Sequence, residues 1–98
     1  MSDKNIEWLF VEQWGRLGVR MYQGQPFVHC QIEQWSPSLR KKCVLVLNEF
    51  KEIIRLRGHN RMFSLVPMAD SKVRKWQLLF GQKEIISIDG NVLYMQEI

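Results

Sequence analysis

The sequence predicts an α+β domain in which two helices cover a mostly antiparallel sheet, in the order β-β-β-α-β-α-β-β. Two observations lead to this class. Two amphipathic segments carry helix start and stop residues, and the stretches around them alternate apolar and polar residues as strands do. The chain of 98 residues is 46% hydrophobic and 24% charged, which is typical of a folded protein and excludes a disordered one. We therefore expect residues 1–98 to form a single domain, with residues 1–15 as an N-terminal strand or arm.

The first elements along the chain are a strand and a hairpin. Residues 6–14 are rich in aromatic side chains and fit a strand, with a short helix as the alternative. Residues 16–22 and 26–35 flank Gly24, and glycine tolerates the positive φ of a tight turn. These two segments are therefore predicted to pair as a β-hairpin.

Side chains on the second arm of this hairpin alternate between two faces of the predicted sheet. Val28, Cys30 and Ile32 share the more apolar face, whereas His29 and Glu33 share the other. The arm is therefore predicted to bury the first set and to hold the two ionisable side chains together on the outer face.

The first long helix has the clearest signals in the sequence. Ser36 can cap its N-terminus, Pro37 suits the first helical position, and Gly58 ends it. Apolar residues recur between them at three- and four-residue steps, which predicts a helix that packs one side on the sheet. This stripe comprises Leu39, Cys43, Val46, Leu47, Phe50, Ile53 and Ile54.

The rest of the chain is predicted to form a strand, a helix and a closing hairpin. Residues 61–68 alternate around Phe63, Leu65 and Pro67 and predict a buried strand. Residues 84–88 and 92–98 flank an Asp-Gly-Asn turn and predict two paired strands.

The predicted second helix starts at Asp70 or Ser71, both of which can cap it, and ends at Gly81. The residues expected to face inward are Val73, Trp76, Leu79 and Phe80.

The net charge of +4 is unevenly distributed along the chain. Residues 36–83 hold eleven Lys and Arg against three Asp and Glu, so the two helices carry the positive charge. Such a surface favours acidic partners: the phosphates of a nucleotide cofactor, nucleic acid, or an acidic protein surface. A solvated face that keeps the protein soluble is the alternative interpretation.

Cysteine content and hydropathy argue against a disulfide framework, a metal site and a membrane span. Cys30 and Cys43 are too few for a disulfide framework and have no ligand at metal-binding spacing, so we expect structural thiols and no metal site. The polar N-terminus and the absence of a long apolar run predict no signal peptide and no membrane span. The expected location is the cytoplasm of the producing cell.

The order of elements from residue 36 onward resembles the C-terminal half of the GNAT family of N-acetyltransferases. The resemblance implies a cofactor loop, Arg/Gln-x-x-Gly-x-Gly/Ala, whose amides hold the pyrophosphate of acetyl-CoA at the start of the first helix. Here that position falls at residues 38–43, and neither glycine is present. Arg40, Lys41 and Lys42 are the remaining candidates for attracting a diphosphate, but their side chains keep an anion away from the amides. We therefore expect ordinary acetyl-CoA binding to be lost.

The same resemblance locates the catalytic positions. Gln77 lies where the family often has a tyrosine acting as general acid, and glutamine cannot donate a proton in this way. His29 and Glu33 are the candidates for a general base, with a solvent-facing pair as the alternative. The residues before Arg16 are too few to build the acceptor-substrate wall that the family has.

Three functional hypotheses remain. The first is a non-catalytic GNAT-like binding or assembly module without a cofactor, similar to small GNAT-like proteins that tailed bacteriophages encode for head or internal-virion assembly. It would act on a protein partner or as a homo-oligomer, in the infected cell or the virion. Exposure of Trp8, Trp14 and Trp35 would mark its interface. The alternatives are a divergent acyltransferase that uses acetyl-CoA and a nucleic-acid-binding protein that uses the basic helices.

Overall fold

A computed structural model of the chain describes residues 5–34 and 36–98 and confirms the predicted α+β class. Six strands form one mostly antiparallel sheet, and two helices are present in the described residues. The elements are β1 (Glu7–Glu12), β2 (Gly15–Tyr22), β3 (Gln25–Ile32), α1 (Pro37–Leu56), β4 (Arg61–Pro67), α2 (Ser71–Leu79), β5 (Lys83–Ile88) and β6 (Asn91–Glu97).

The strands are ordered β1-β2-β3-β4-β6-β5 across the sheet. Neighbouring strands are antiparallel except β3 and β4, which run parallel and are paired at one position, Phe27 with Phe63. This parallel pair needs the long crossover that α1 provides. The first strand, β1, pairs with β2 of the same chain, so of the two alternatives for the N-terminal segment the structure has the strand.

Both predicted hairpin turns consist of two residues with positive φ. Gln23 and Gly24 have φ of 50° and 76°, and Asp89 and Gly90 have φ of 49° and 79°. Positive φ at both central positions is the type I′ geometry, whose twist matches that of paired strands. The local sequence therefore fixes both hairpins.

Helix α1 begins and ends where the sequence predicts. The Ser36 hydroxyl accepts a hydrogen bond from the Leu39 N–H at 3.3 Å, and Gly58 follows the helix with φ of 94°. The Arg57 guanidinium at its end donates two hydrogen bonds to the Glu7 carboxylate, at 2.8 and 2.9 Å. This paired contact links the end of the helix to strand β1.

The core lies between the helices and one face of the sheet. Phe50 and Ile54 of α1 pack with Leu17, Val19 and Met62 of the strands. A second cluster comprises Val66, Val92 and Tyr94, with Val73 of α2 against it.

The side chains of β4 point opposite to the predicted directions. The buried residues are Met62, Ser64 and Val66, whereas Phe63 is half-buried and Leu65 is exposed. Period-two alternation identifies a strand but does not say which set faces the helices. The prediction that Phe63 and Leu65 lie on the buried side is therefore wrong.

Helix α2 is less buried than its pattern suggests. Asp70 caps it, accepting a hydrogen bond from the Val73 N–H at 3.3 Å, as predicted. None of its residues is fully buried, and Leu79 is exposed, so the prediction that Leu79 faces inward is wrong. The helix has nine residues and lies beside a cleft, which leaves part of its apolar surface without a protein neighbour.

Candidate functional site

One concave site lies between β3, the first half of α1 and α2. Its volume is about 560 Å³, and its lining is largely apolar. This cleft opens beside the parallel strands β3 and β4, for which the described residues show pairing only at Phe27 and Phe63. Apolar side chains on its walls include Leu17, Val28, Ile32, Leu47, Val73 and Phe80.

Two thiols lie in the cleft, and neither is suited to act as a nucleophile. Loss of water around the Cys30 thiol, together with the nearby Cys43, raises the pKa of Cys30 to about 12. Cys30 keeps accessible surface because it lines an open cleft, whereas Cys43 is buried in α1, and burial raises its pKa as well. The thiolate is the reactive form, so the raised pKa makes each thiol less reactive at neutral pH than an ordinary cysteine.

The polar side chains of the cleft include Glu33, Asp70, Lys72, Gln77 and Gln82. Gln77 lines the cleft, at the position where the GNAT resemblance implies an acid. The Asp70 carboxylate accepts the Val73 N–H as a helix cap. Gln82 is buried, and its side-chain N–H donates to Gln96 at 3.4 Å. Its carbonyl oxygen is buried and has no hydrogen-bond partner in the described residues.

A basic groove continues from the cleft between α1 and α2. Arg40 lines it together with Lys72 and Lys75, and Lys72 and Trp76 belong to both the groove and the cleft. The Lys72 ammonium lies 5.5 Å from the centre of the Trp76 ring. The groove therefore offers three positive charges beside an apolar cleft.

The three residues predicted to attract a pyrophosphate lie in different places in the structure. Arg40 lies in the basic groove, whereas Lys42 lines a different hollow beside Glu12 and Trp14, and Lys41 is exposed on α1. Lys72 and Lys75 also line this groove, although they were not predicted to belong to the site. The sequence places both in the first turns of α2, but it does not show that α2 packs close to the start of α1.

His29 and Glu33 do not form a pair. Glu33 follows the end of β3 and lines the cleft, and its backbone N–H donates to the Trp14 carbonyl at 2.8 Å. His29 is half-buried on the opposite face of the sheet, in a hollow beside Phe27 and Phe63. The alternation of side chains along a strand predicted that His29 and Glu33 share one face. The strand ends at Ile32, so this alternation does not extend to Glu33.

The three predicted interface tryptophans have different environments. Trp8 is half-buried, and the Arg16 guanidinium lies 3.9 Å from its ring centre. Trp14 is 7% exposed, so it does not have the exposure on which its assignment to an interface depended. Trp35 lies outside the described residues.

The described residues contain neither a cluster of metal ligands nor a helix that could span a membrane. No group of three His, Cys, Asp or Glu residues suited to a metal occurs in ranges 5–34 and 36–98, and no helix there is long and apolar enough to cross a membrane. A scan of protein-family models and searches of curated proteins and solved structures found no match for this chain.

Proposed function

We propose that this protein is a non-catalytic, GNAT-like binding or assembly module that acts through protein–protein contacts. The chemistry of the cleft carries the proposal. The described cleft residues include two thiols with raised pKa, a glutamine at the position implied for the acid, an aspartate that caps a helix, and Glu33. Neither thiol is suited to act as a nucleophile, and glutamine cannot protonate a departing thiolate, so the Glu33 carboxylate has no acid with which to complete acyl transfer.

The GNAT likeness is supported by element order alone. The long helix, strand, second helix ending near a glycine, and closing hairpin are all present. Side chains at Arg40, Lys41 and Lys42 replace the glycine-rich loop that holds a pyrophosphate on backbone amides. A role in the assembly of a bacteriophage head or virion follows from the same layout and is the most specific form of the proposal.

A divergent acyltransferase is the second candidate, because the basic groove favours it. Arg40, Lys72 and Lys75 provide the charge that a diphosphate needs, and the adjoining apolar cleft has room for an acyl arm. In this alternative the side chains of the groove, and not backbone amides, would hold the cofactor. Nucleic-acid binding through the basic helices is a third candidate and would use the same three residues.

Isothermal titration of the protein with acetyl-CoA and with free CoA tests the proposal. We expect no heat of binding at about millimolar ligand, which corresponds to less than roughly 4 kcal/mol of binding free energy. Micromolar binding would contradict it, provided that a triple alanine variant at Arg40, Lys72 and Lys75 abolishes the signal. A triple alanine variant at Lys41, Lys42 and Arg55 removes the same charge from other positions of α1 and is the matched control.

A further inference from the structure

The sheet face opposite the two helices has no covering element in the described residues. We call it the open face and define it by Tyr22, Phe27, Phe63, Leu65, Ile86 and Ile88. The strand register supports this assignment: Phe27 is paired with Phe63, and both Leu65 and Ile86 are paired with Leu93. Met62, Ser64 and Val66 alternate with the residues of β4 on this face and point to the helices. The open face is therefore the second side of the same sheet.

Apolar side chains on the open face contact one another and keep part of their surface exposed to solvent. The Phe27 and Phe63 rings are stacked with centres 5.5 Å apart, and Tyr22 meets Phe27 edge-on at 5.8 Å. They line a hollow of about 710 Å³ that also includes Leu65 and Ile88. Leu65, Ile86 and Ile88 are 46%, 52% and 45% exposed. A contiguous apolar surface of this kind on a protein usually marks an interaction site.

Positive charge borders this apolar surface on the side of β2. Arg20 and Arg16 lie on the open face, because β2 pairs Arg20 with Phe27 and Arg16 with Gln31. The Arg20 guanidinium lies 5.8 Å from the centre of the Tyr22 ring. Among the described strand residues on this face, the only carboxylate is that of Glu97, which is paired across the strands with Arg61. The Arg16 guanidinium donates a hydrogen bond to the Gln31 side chain at 2.8 Å, and the described strand residues of the face place no carboxylate beside Arg16 or Arg20.

We propose that the open face binds an amphipathic segment of an acidic partner protein. Apolar side chains of the segment would cover Leu65, Ile86 and Ile88, and its carboxylates would contact Arg16 and Arg20. This inference rests on the proposed function, since it identifies the surface and the partner chemistry of that binding module.

Charge and chemistry favour this occupant over two others. A second copy of the chain would bring the arginines of both copies into one interface in which the described strand residues of the face offer only the Glu97 carboxylate, and burying guanidinium groups without a carboxylate is costly. Single-stranded nucleic acid would stack on Tyr22 and contact the arginines, but the aliphatic side chains of Leu65, Ile86 and Ile88 offer its bases no stacking surface.

Selection from a displayed library of random peptides of about 16 residues, long enough for four helical turns, tests the proposal. We expect the selected peptides to carry apolar residues at helical spacing together with Asp or Glu. Leu65→Thr combined with Ile86→Thr, and separately Arg20→Gln, should each weaken binding by roughly tenfold or more. Leu45→Gln and Arg55→Gln change an exposed leucine and an exposed arginine of α1 and should leave binding unchanged.

Circular dichroism verifies that each variant is folded. Failure to enrich any peptide, or enrichment of peptides that bind the open-face variants equally well, would overturn the proposal. A dimer by light scattering that Leu65→Thr dissociates would assign the face to a second copy. Binding of a thymidine oligonucleotide that Arg20→Gln abolishes would assign it to nucleic acid. Titration with CoA is independent of these results, so failure of the proposed function and failure of this inference can be told apart.

Discussion

Cys30 provides a direct test of the claim that the cleft contains no nucleophile. Desolvation and the neighbouring Cys43 raise the pKa of its thiol from an ordinary value of 9.0 to about 12. Because Cys30 keeps accessible surface, a small reagent can reach it, and its rate of reaction reports its ionisation.

The expected slowing follows from two opposing effects. At pH 7 to 8 the rise in pKa lowers the thiolate fraction about 1000-fold, whereas the more basic thiolate is intrinsically about 20-fold more nucleophilic. The native protein should therefore exchange with an aromatic disulfide such as DTNB about 50-fold more slowly than the unfolded chain. The assay is the absorbance of the thiolate released by the native protein, with the rate of a Cys30→Ala variant subtracted to remove the contribution of Cys43, and both proteins in urea as the unfolded control.

The pH profile separates a raised pKa from simple steric protection. A thiol with a pKa of about 12 gives a rate that continues to rise above pH 9, whereas an ordinary thiol in a hindered site reaches a plateau near that pH. A native rate within about twofold of the unfolded rate at pH 8 would refute the reasoning. It would also restore Cys30 as a candidate nucleophile.

Three further predictions concern the stability of the fold. Phe50→Ala removes a fully buried ring and should cost about 3–5 kcal/mol in urea unfolding, whereas Leu45→Ala on the exposed side of α1 should change stability by less than about 0.5 kcal/mol; equal effects would contradict the assignment of the core. Asp70→Ala should cost about 0.5–2 kcal/mol through loss of the cap, and Asp70→Asn, which still caps, should restore most of it in thermal melts. The hydrogen bond from Arg57 lowers the pKa of Glu7, so the ion pair stabilises the protein above the ordinary pKa of 4.5 and the stabilisation is lost as the pH falls below it. Urea titrations at neutral and acidic pH should therefore show less acid destabilisation in Glu7→Gln than in the wild type, and identical pH dependence would count against the pair.

Local signals in the sequence were sufficient for the elements, the ends of α1 and the hairpin turns, but not for the end of β3, which stops at Ile32 and not at residue 35. Ser36 and Gly58 define α1 because capping and positive φ act within a few residues. Asp89-Gly90 defines the closing turn for the same reason. These preferences depend on backbone conformation and not on distant contacts, so they could be read without a tertiary structure.

The candidate site could be predicted only in part. Arg40 was predicted to belong to an anion site, and in the structure it lines the basic groove together with Lys72 and Lys75. Lys41 and Lys42 were predicted with it but lie outside this groove. The missing information was the distance between the ends of two helices separated by a strand. Sequence spacing does not contain that distance, because it depends on the packing of both helices on the sheet.

The sequence by itself determined the α+β class, the order of eight elements, the positive charge of the helices and the loss of glycines at the start of α1. Tertiary structure decided which side of each strand is covered: it buried Trp14, exposed Leu65 and placed His29 and Glu33 on opposite sides of the sheet. The physical reason is that a period of two gives each strand two equivalent faces. Only the position of the helices makes one face the core and leaves the other open to a partner.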